Sequence, residues 1–112
     1  MIYTNFTVGN TDYKLRLTAK ACVELEKKIG GNPLNIFTKI NSTSEMPKLE
    51  DIILILHASL QAFNHNISIN DTYEIYDKFV DDGKSLMELI PVIIEVFKVS
   101  GFFREDKVTE KN

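Results

Sequence analysis

The hydrophobic positions of this chain change rhythm once, near residue 18. Before that point they alternate. Ile2, Tyr3, Phe6 and Val8 are set among polar residues as far as the cluster Gly9-Asn10-Thr11-Asp12, after which Tyr13, Leu15 and Leu17 alternate with Lys14 and Arg16. A period of two puts one set of side chains on one face of a strand, and two such runs around a Gly/Asn turn predict a β-hairpin over residues 1–17. A lone hairpin is marginal in water, so its apolar face needs something to pack against.

From Thr18 onward the spacing is three and four. Thr18 offers a hydroxyl to cap a first helix. Cys22, Leu25 and Ile29 form its apolar stripe. Lys27 and Lys28 suit the negative end of its dipole, and Gly30-Gly31 stops it. Asn32-Pro33 opens a second helix with Leu34, Phe37 and Ile40 on one side. The polar stretch 41–46 predicts a mobile loop, and Pro47 then opens the most hydrophobic helix, over roughly 47–64. Leu49, Ile52, Ile53, Leu56, Leu60 and Phe63 share its main face. Leu54 and Ile55 carry apolar surface nearly all round, which places the helix at the centre of the fold or under a partner. Ser68 to Asp71 begins a fourth helix, whose expected inner face is Ile69, Tyr73, Tyr76 and Val80, bordered by Phe79; Gly83 ends it. Ser85 and Glu88 are spaced as a capping box for a fifth helix that carries Leu86, Leu89, Ile90, Ile93, Ile94 and Phe97 and ends near Gly101. Pro91 lies inside it and is expected to kink or split it. The predicted fold class is mainly α with a short N-terminal β-hairpin (α+β), with about five helices packed as a small helical domain. One domain over 1–103 is expected, made of a hairpin 1–17 and a helical body 18–103, with a flexible charged tail over 104–112.

Composition narrows the function classes. A chain of 112 residues with 44% hydrophobic content fits one domain and can bury a core, unlike a disordered sequence. The net charge is −3, and arginine occurs only at Arg16 and Arg104. Nucleic-acid phosphates require a clustered Lys/Arg surface, so a nucleic-acid partner is not expected. A single cysteine, Cys22, allows no internal disulfide. The N-terminus lacks a basic segment followed by an apolar one, and the apolar run Ile52–Leu60, interrupted by His57 and Ser59, is too short to span a bilayer. The expected location is therefore the cytoplasm, away from membranes. The Asn-x-Ser/Thr triplets that begin at Asn5, Asn41, Asn66 and Asn70 read as accidents of an Asn-rich composition.

No chemical constellation stands out. His57 and His65 are eight residues apart, and a metal site needs more ligands than these. His57 is expected to be partly buried and His65 exposed. Cys22 falls on an apolar stripe, whereas a reactive thiolate needs an electropositive, accessible setting. Asp81-Asp82-Gly83 fails as a calcium loop, since Lys78 and Leu89 would stand at its first and twelfth positions. Gly30-Gly31 lacks the GK[ST] or G-x-G-x-x-G context of a phosphate cradle. Tyr73 and Tyr76 are expected to pack in the core with hydroxyls at its rim. No catalytic, cofactor-binding or metal-binding residue is assigned, and the chain is expected not to be an enzyme.

The stretch from Tyr13 to Phe37, a strand running straight into a helix and then Leu25-Glu-Lys-Lys-Ile-Gly-Gly-Asn-Pro-Leu34, resembles tail assembly chaperones encoded in the tail modules of phages and prophages of Gram-positive bacteria. The ending Glu95-Val-Phe-Lys-Val-Ser-Gly-Phe-Phe103 is similar too, so the resemblance runs from Tyr13 to Phe103. It implies a β-segment followed by helices, and a binding role: coating the tape measure protein, recruiting tail tube subunits, and possible homo-oligomer formation. It carries no residue assignments. From position alone, Leu54, Ile55, Phe102 and Phe103, which lie off the main stripes or past the last helix, are the expected partner-binding residues. Alternative readings are a head–tail connector or other structural component, and a small regulatory DNA-binding protein. The acidic balance and the lack of a basic recognition helix count against the latter.

Overall fold

The change of rhythm near residue 18 is the boundary between a hairpin and five helices. The computed structural model describes residues 2–43 and 45–102, the side chains of 40–43 excepted. Strands β1 (Thr4–Val8) and β2 (Thr11–Leu15) pair antiparallel, with Phe6 opposite Tyr13 and Val8 opposite Thr11. The two-residue loop between them needs a left-handed residue at its first position, and Gly9 supplies it at φ 60°. Phe6, Val8, Leu15 and Leu17 point inward and are buried, as the alternation requires. The expected tail at 104–112 lies outside the described residues.

Helix α1 (Ala19–Ile29) begins where the Thr18 hydroxyl accepts from the amide of Ala21 at 3.2 Å, and it ends at Gly30, whose φ of 84° is the left-handed cap that glycine takes without strain. Asn32 Oδ1 accepts from the Leu34 amide at 2.9 Å and opens a tight turn that leads into α2 (Asn35–Thr43). The second helix therefore runs through residues 41–43, where the sequence predicted a loop. The weak helix propensity of Asn, Ser and Thr, a few tenths of a kcal/mol each, is overridden here. Ile36, absent from the expected stripe, is a buried residue of α2, with Leu34 and Phe37 packed beside it.

Helix α3 (Leu49–Leu60) is shorter than 47–64 at both ends. It is the centre of the molecule, touching α1, α4, α5 and β2. Its buried residues include Ile52, Ile53, Ile55, Leu56 and Leu60. Ser59 is buried as well, its hydroxyl donating back to the Ile55 carbonyl at 2.8 Å. Beyond α3, Gln61 Nε2 donates to the carbonyls of His57 and Ile67 and so closes the connection to α4 (Ile69–Asp81). That helix carries a full capping box: Ser68 Oγ accepts from the Asp71 amide and Asp71 Oδ2 accepts from the Ser68 amide, both at 3.0 Å. The Ser68 backbone amide, and then the Ser68 side chain, hold the exposed Asp71 carboxyl below its ordinary range.

The inner face of α4 is Thr72, Ile75 and Phe79, with Tyr76 beside them. Tyr73 and Val80, expected inside, are exposed. The helix is turned so that the Phe79 ring packs on Phe6 at 5.3 Å. Helix α5 (Leu86–Val99) starts with Glu88 Oε2 accepting from the Ser85 amide at 2.9 Å. It runs unbroken past Pro91, so the expected split does not occur. The amide missing at Pro91 would have bonded to the carbonyl of Met87, and both residues are exposed, where water can take that role. Leu89, Ile93, Val96 and Phe97 face the core.

The hairpin is fastened to the ends of three helices. The Gly9 amide donates to Asp82 Oδ2 at 2.6 Å, just past α4. The Arg16 amide donates to the Ser59 carbonyl at 3.0 Å. Arg16 Nη1 donates to the carbonyls of Ile2 at 3.1 Å and Val99 at 3.2 Å, and the Leu17 amide donates to Ser100 Oγ at 2.8 Å. A guanidinium on the Val99 carbonyl, the last of α5, also meets the negative end of that helix's dipole. Among the described residues no helix is long and apolar enough to cross a membrane.

Candidate functional site

A concavity with a volume of 480 Å³ lies between α1 and α3. Each helix contributes side chains at three- and four-residue intervals, so the concavity is a trough along both axes. The α1 wall contains Thr18, Ala21 and Leu25, and the α3 wall contains Leu54 and Ala58, continued by Ala62. The floor is apolar and made largely of alanines, which lets a bound group come close to both helices. Between Thr18 and Lys28 the trough covers ten residue steps of α1, about 15 Å at the helical rise.

Its rim is polar and mainly basic. Lys20 and Lys28 stand on the α1 side, and His57, Gln61 and His65 on the other. Glu24 is the acidic side chain of the lining, and it is paired with Lys27 at 3.8 Å, an exposed ion pair of little energetic weight. Lys20 and Lys28 form no ion pair among the described residues. His65 lies past the end of α3, yet the turn after Leu60 returns it to the side of His57, so the eight-residue spacing of the two histidines does bring them to one surface.

Burial lowers the pKa of His57, and the nearby Lys28 ammonium lowers it further, against an opposing contribution from the Ile67 backbone. A histidine held neutral in the fold binds its proton more readily once the chain unfolds. Stability is therefore full above the unfolded pKa near 6.5 and is lost as pH falls through and below it. Denaturant titrations at pH 7.5 and pH 5 should show a drop in unfolding free energy that His57→Gln reduces. An unchanged drop in that variant would remove His57 as its source.

Cys22 is buried, and burial, then the Glu26 carboxylate, push its thiol pKa up, so it is a packing residue and a poor nucleophile. No cluster of three metal-ligating side chains occurs among the described residues.

The residues singled out for partner binding are dispersed. Leu54 is half-buried and lines the trough. Ile55 is completely buried in the core and is corrected from a surface residue to a packing residue: α3 is surrounded by other elements, so its off-stripe position still faces protein. Phe102 packs edge-on against Phe97 at 5.7 Å and is partly buried. Phe103 lies outside the described residues. Sequence reasoning missed the trough because its walls come from two helices whose pairing no local pattern encodes. A second surface was also missed. Tyr3 and Phe63 meet edge-to-face at 5.6 Å, with the Lys14 ammonium 5.0 Å from the Tyr3 ring centre.

No curated protein and no solved structure is found to match the chain. A family model does, over residues 3–112, and the chain thereby belongs to the family of unknown function DUF6096.

Proposed function

We propose that this chain is a non-enzymatic, cytoplasmic binding protein of a phage or prophage tail module, a tail assembly chaperone that binds the tape measure protein and helps recruit tail tube subunits. The observation that carries the reading is the resemblance of the strand-into-helix stretch Tyr13–Phe37 and of the ending Glu95–Phe103 to such chaperones. A hairpin followed by helices is the architecture that the resemblance implies, and the chain has it. The apolar trough and its basic rim supply a surface for protein binding, with Leu54 as a client contact. Helix-in-groove recognition uses apolar surface of this kind.

Co-expression with the tape measure protein of the same gene cluster, followed by pull-down and size-exclusion chromatography, tests the proposal. A soluble complex with many copies of this chain per client is expected. A client that stays insoluble while this chain elutes alone would overturn it. Recovery of the chain from purified virions would favour a structural component of the head–tail connector or tail instead.

A further inference from the structure

The α1–α3 trough has the size of a small-molecule site. Its 480 Å³ lies within the usual range for such sites, about 300–1,000 Å³. A helix about 10–12 Å across would fill about 1,200 Å³ or more over the same length, so only one of its faces could enter. An unbranched alkyl chain is slender enough to lie inside throughout. The walls suit it. Leu25 and Ala21 line one side, and Ala58 and Ala62 the other. The Arg16 amide, bonded to the Ser59 carbonyl at 3.0 Å, brings the start of α1 beside the end of α3, so the two apolar rows run alongside each other.

One place on the rim suits a negative head group. Lys28 stands close enough to His57 to oppose its protonation. Neither side chain has an acidic partner among the described residues, and Glu24, the carboxylate of the lining, is held by Lys27. Lys20 and His65 extend the positive rim, although the whole chain carries a net charge of −3. A carboxylate between Lys28 and His57 would pair with the ammonium. Its charge would also let the imidazole take up the proton that Lys28 alone opposes.

We propose that the trough binds one free, unbranched fatty acid per chain, with the carboxylate between Lys28 and His57 and the alkyl chain over Leu25, Ala58 and Ala62. Apolar contact along the floor supplies most of the binding free energy, and the charged end sets the direction in which the chain lies. The ligand is the free acid and not a bilayer lipid, because the trough accommodates one chain and a bilayer lipid brings two. The inference does not rest on the tail-chaperone reading. A protein that binds the fatty acid and no tape measure protein would uphold the one and sink the other.

Isothermal titration calorimetry of the full chain with dodecanoate below its micelle concentration provides the test, at neutral pH. One saturable site per chain is expected, and amide resonances of Leu25, Leu54 and Ala58 should shift on binding. Acetate, which has the head group without the chain, and dodecyltrimethylammonium, which has the chain with the opposite charge, should not bind at the same concentrations. Lys28→Glu lies at an exposed position and should fold as the parent does by circular dichroism. It should weaken binding at least about tenfold, the factor that one charge-assisted hydrogen bond carries, while Lys28→Arg keeps most of the affinity. Ala62→Phe keeps the charged rim but fills the floor, and should abolish binding. Absence of a saturable site, equal binding of the cationic amphiphile, or unchanged affinity in Lys28→Glu would each overturn the proposal. Co-sedimentation with phosphatidylglycerol vesicles in place of dodecanoate binding would overturn it too.

Discussion

Replacing Phe97 by alanine is expected to lower the unfolding free energy by about 3–5 kcal/mol, the range for deleting a buried aromatic side chain. Phe97 is 1% exposed and is the largest of the completely buried side chains. Its ring meets Phe37 at 5.6 Å from α2 and Phe102 at 5.7 Å from the segment after α5, both edge-to-face. The cost combines lost transfer energy, the cavity left behind and the loss of both ring contacts, each worth about 0.5–1.5 kcal/mol beyond area. Domains of this size are typically stable by about 5–15 kcal/mol, so the variant should be poorly folded at 37 °C. Phe97→Leu fills most of the volume and should cost clearly less. Urea denaturation with a shared slope measures both. A loss below about 0.5 kcal/mol for the alanine variant, as at surface sites, would mean that Phe97 does not hold these elements together.

Arg16→Met is expected to cost about 2 kcal/mol, mainly through the two bonds that the guanidinium donates to the carbonyls of Ile2 and Val99. Bonds from a charged donor are worth about 1.5–3 kcal/mol each when shielded, and here the Ile2 side is exposed while the Val99 side is partly buried. A partial offset acts in the other direction, because Arg16 Nε is buried with no hydrogen-bond partner and the substitution removes that uncompensated group. The loss should be local. Hydrogen exchange of the β1 and β2 amides should quicken more than that of α3, since the hairpin loses its guanidinium tie to α5 while the backbone bonds to Ser59 and to Ser100 Oγ are kept. Uniform quickening across the chain would show instead that Arg16 supports the whole fold equally.

Much of this architecture can be read in the sequence because its determinants are local. The Thr18 cap, the Ser68/Asp71 box, the Glu88 carboxylate over Ser85 and the left-handed Gly30 are each made within three or four residues. The hairpin likewise is set by alternation and a two-residue turn. What local pattern could not decide is rotation and neighbourhood. On α4 the set Ile69, Tyr73, Tyr76 and Val80 and the set Thr72, Ile75 and Phe79 both have helical spacing. The choice between them is made by the Phe79 contact with Phe6, a residue far away in the chain. Ile55 looked available for a partner only because nothing in its own segment reveals that α3 is enclosed by α1, α4, α5 and β2. The trough is hidden for the same reason: its lysines and its histidines belong to different segments, and only the pairing of α1 with α3 gathers them.

The fastening of the hairpin has a consequence for the order in which the protein can mature on the ribosome. Arg16 and Leu17 find their partners Val99 and Ser100 at a separation of 83 residues. At synthesis rates of about 5–20 residues per second, about 4–17 s pass between the emergence of the two sides. During that interval the hairpin has been made but its anchor has not, and its apolar face of Phe6, Val8 and Leu15 is short of cover from α5, a helix that packs on β1. A nascent chain halted before Leu86 should therefore leave this face short of that cover, and α5 acts as the latch that withdraws it.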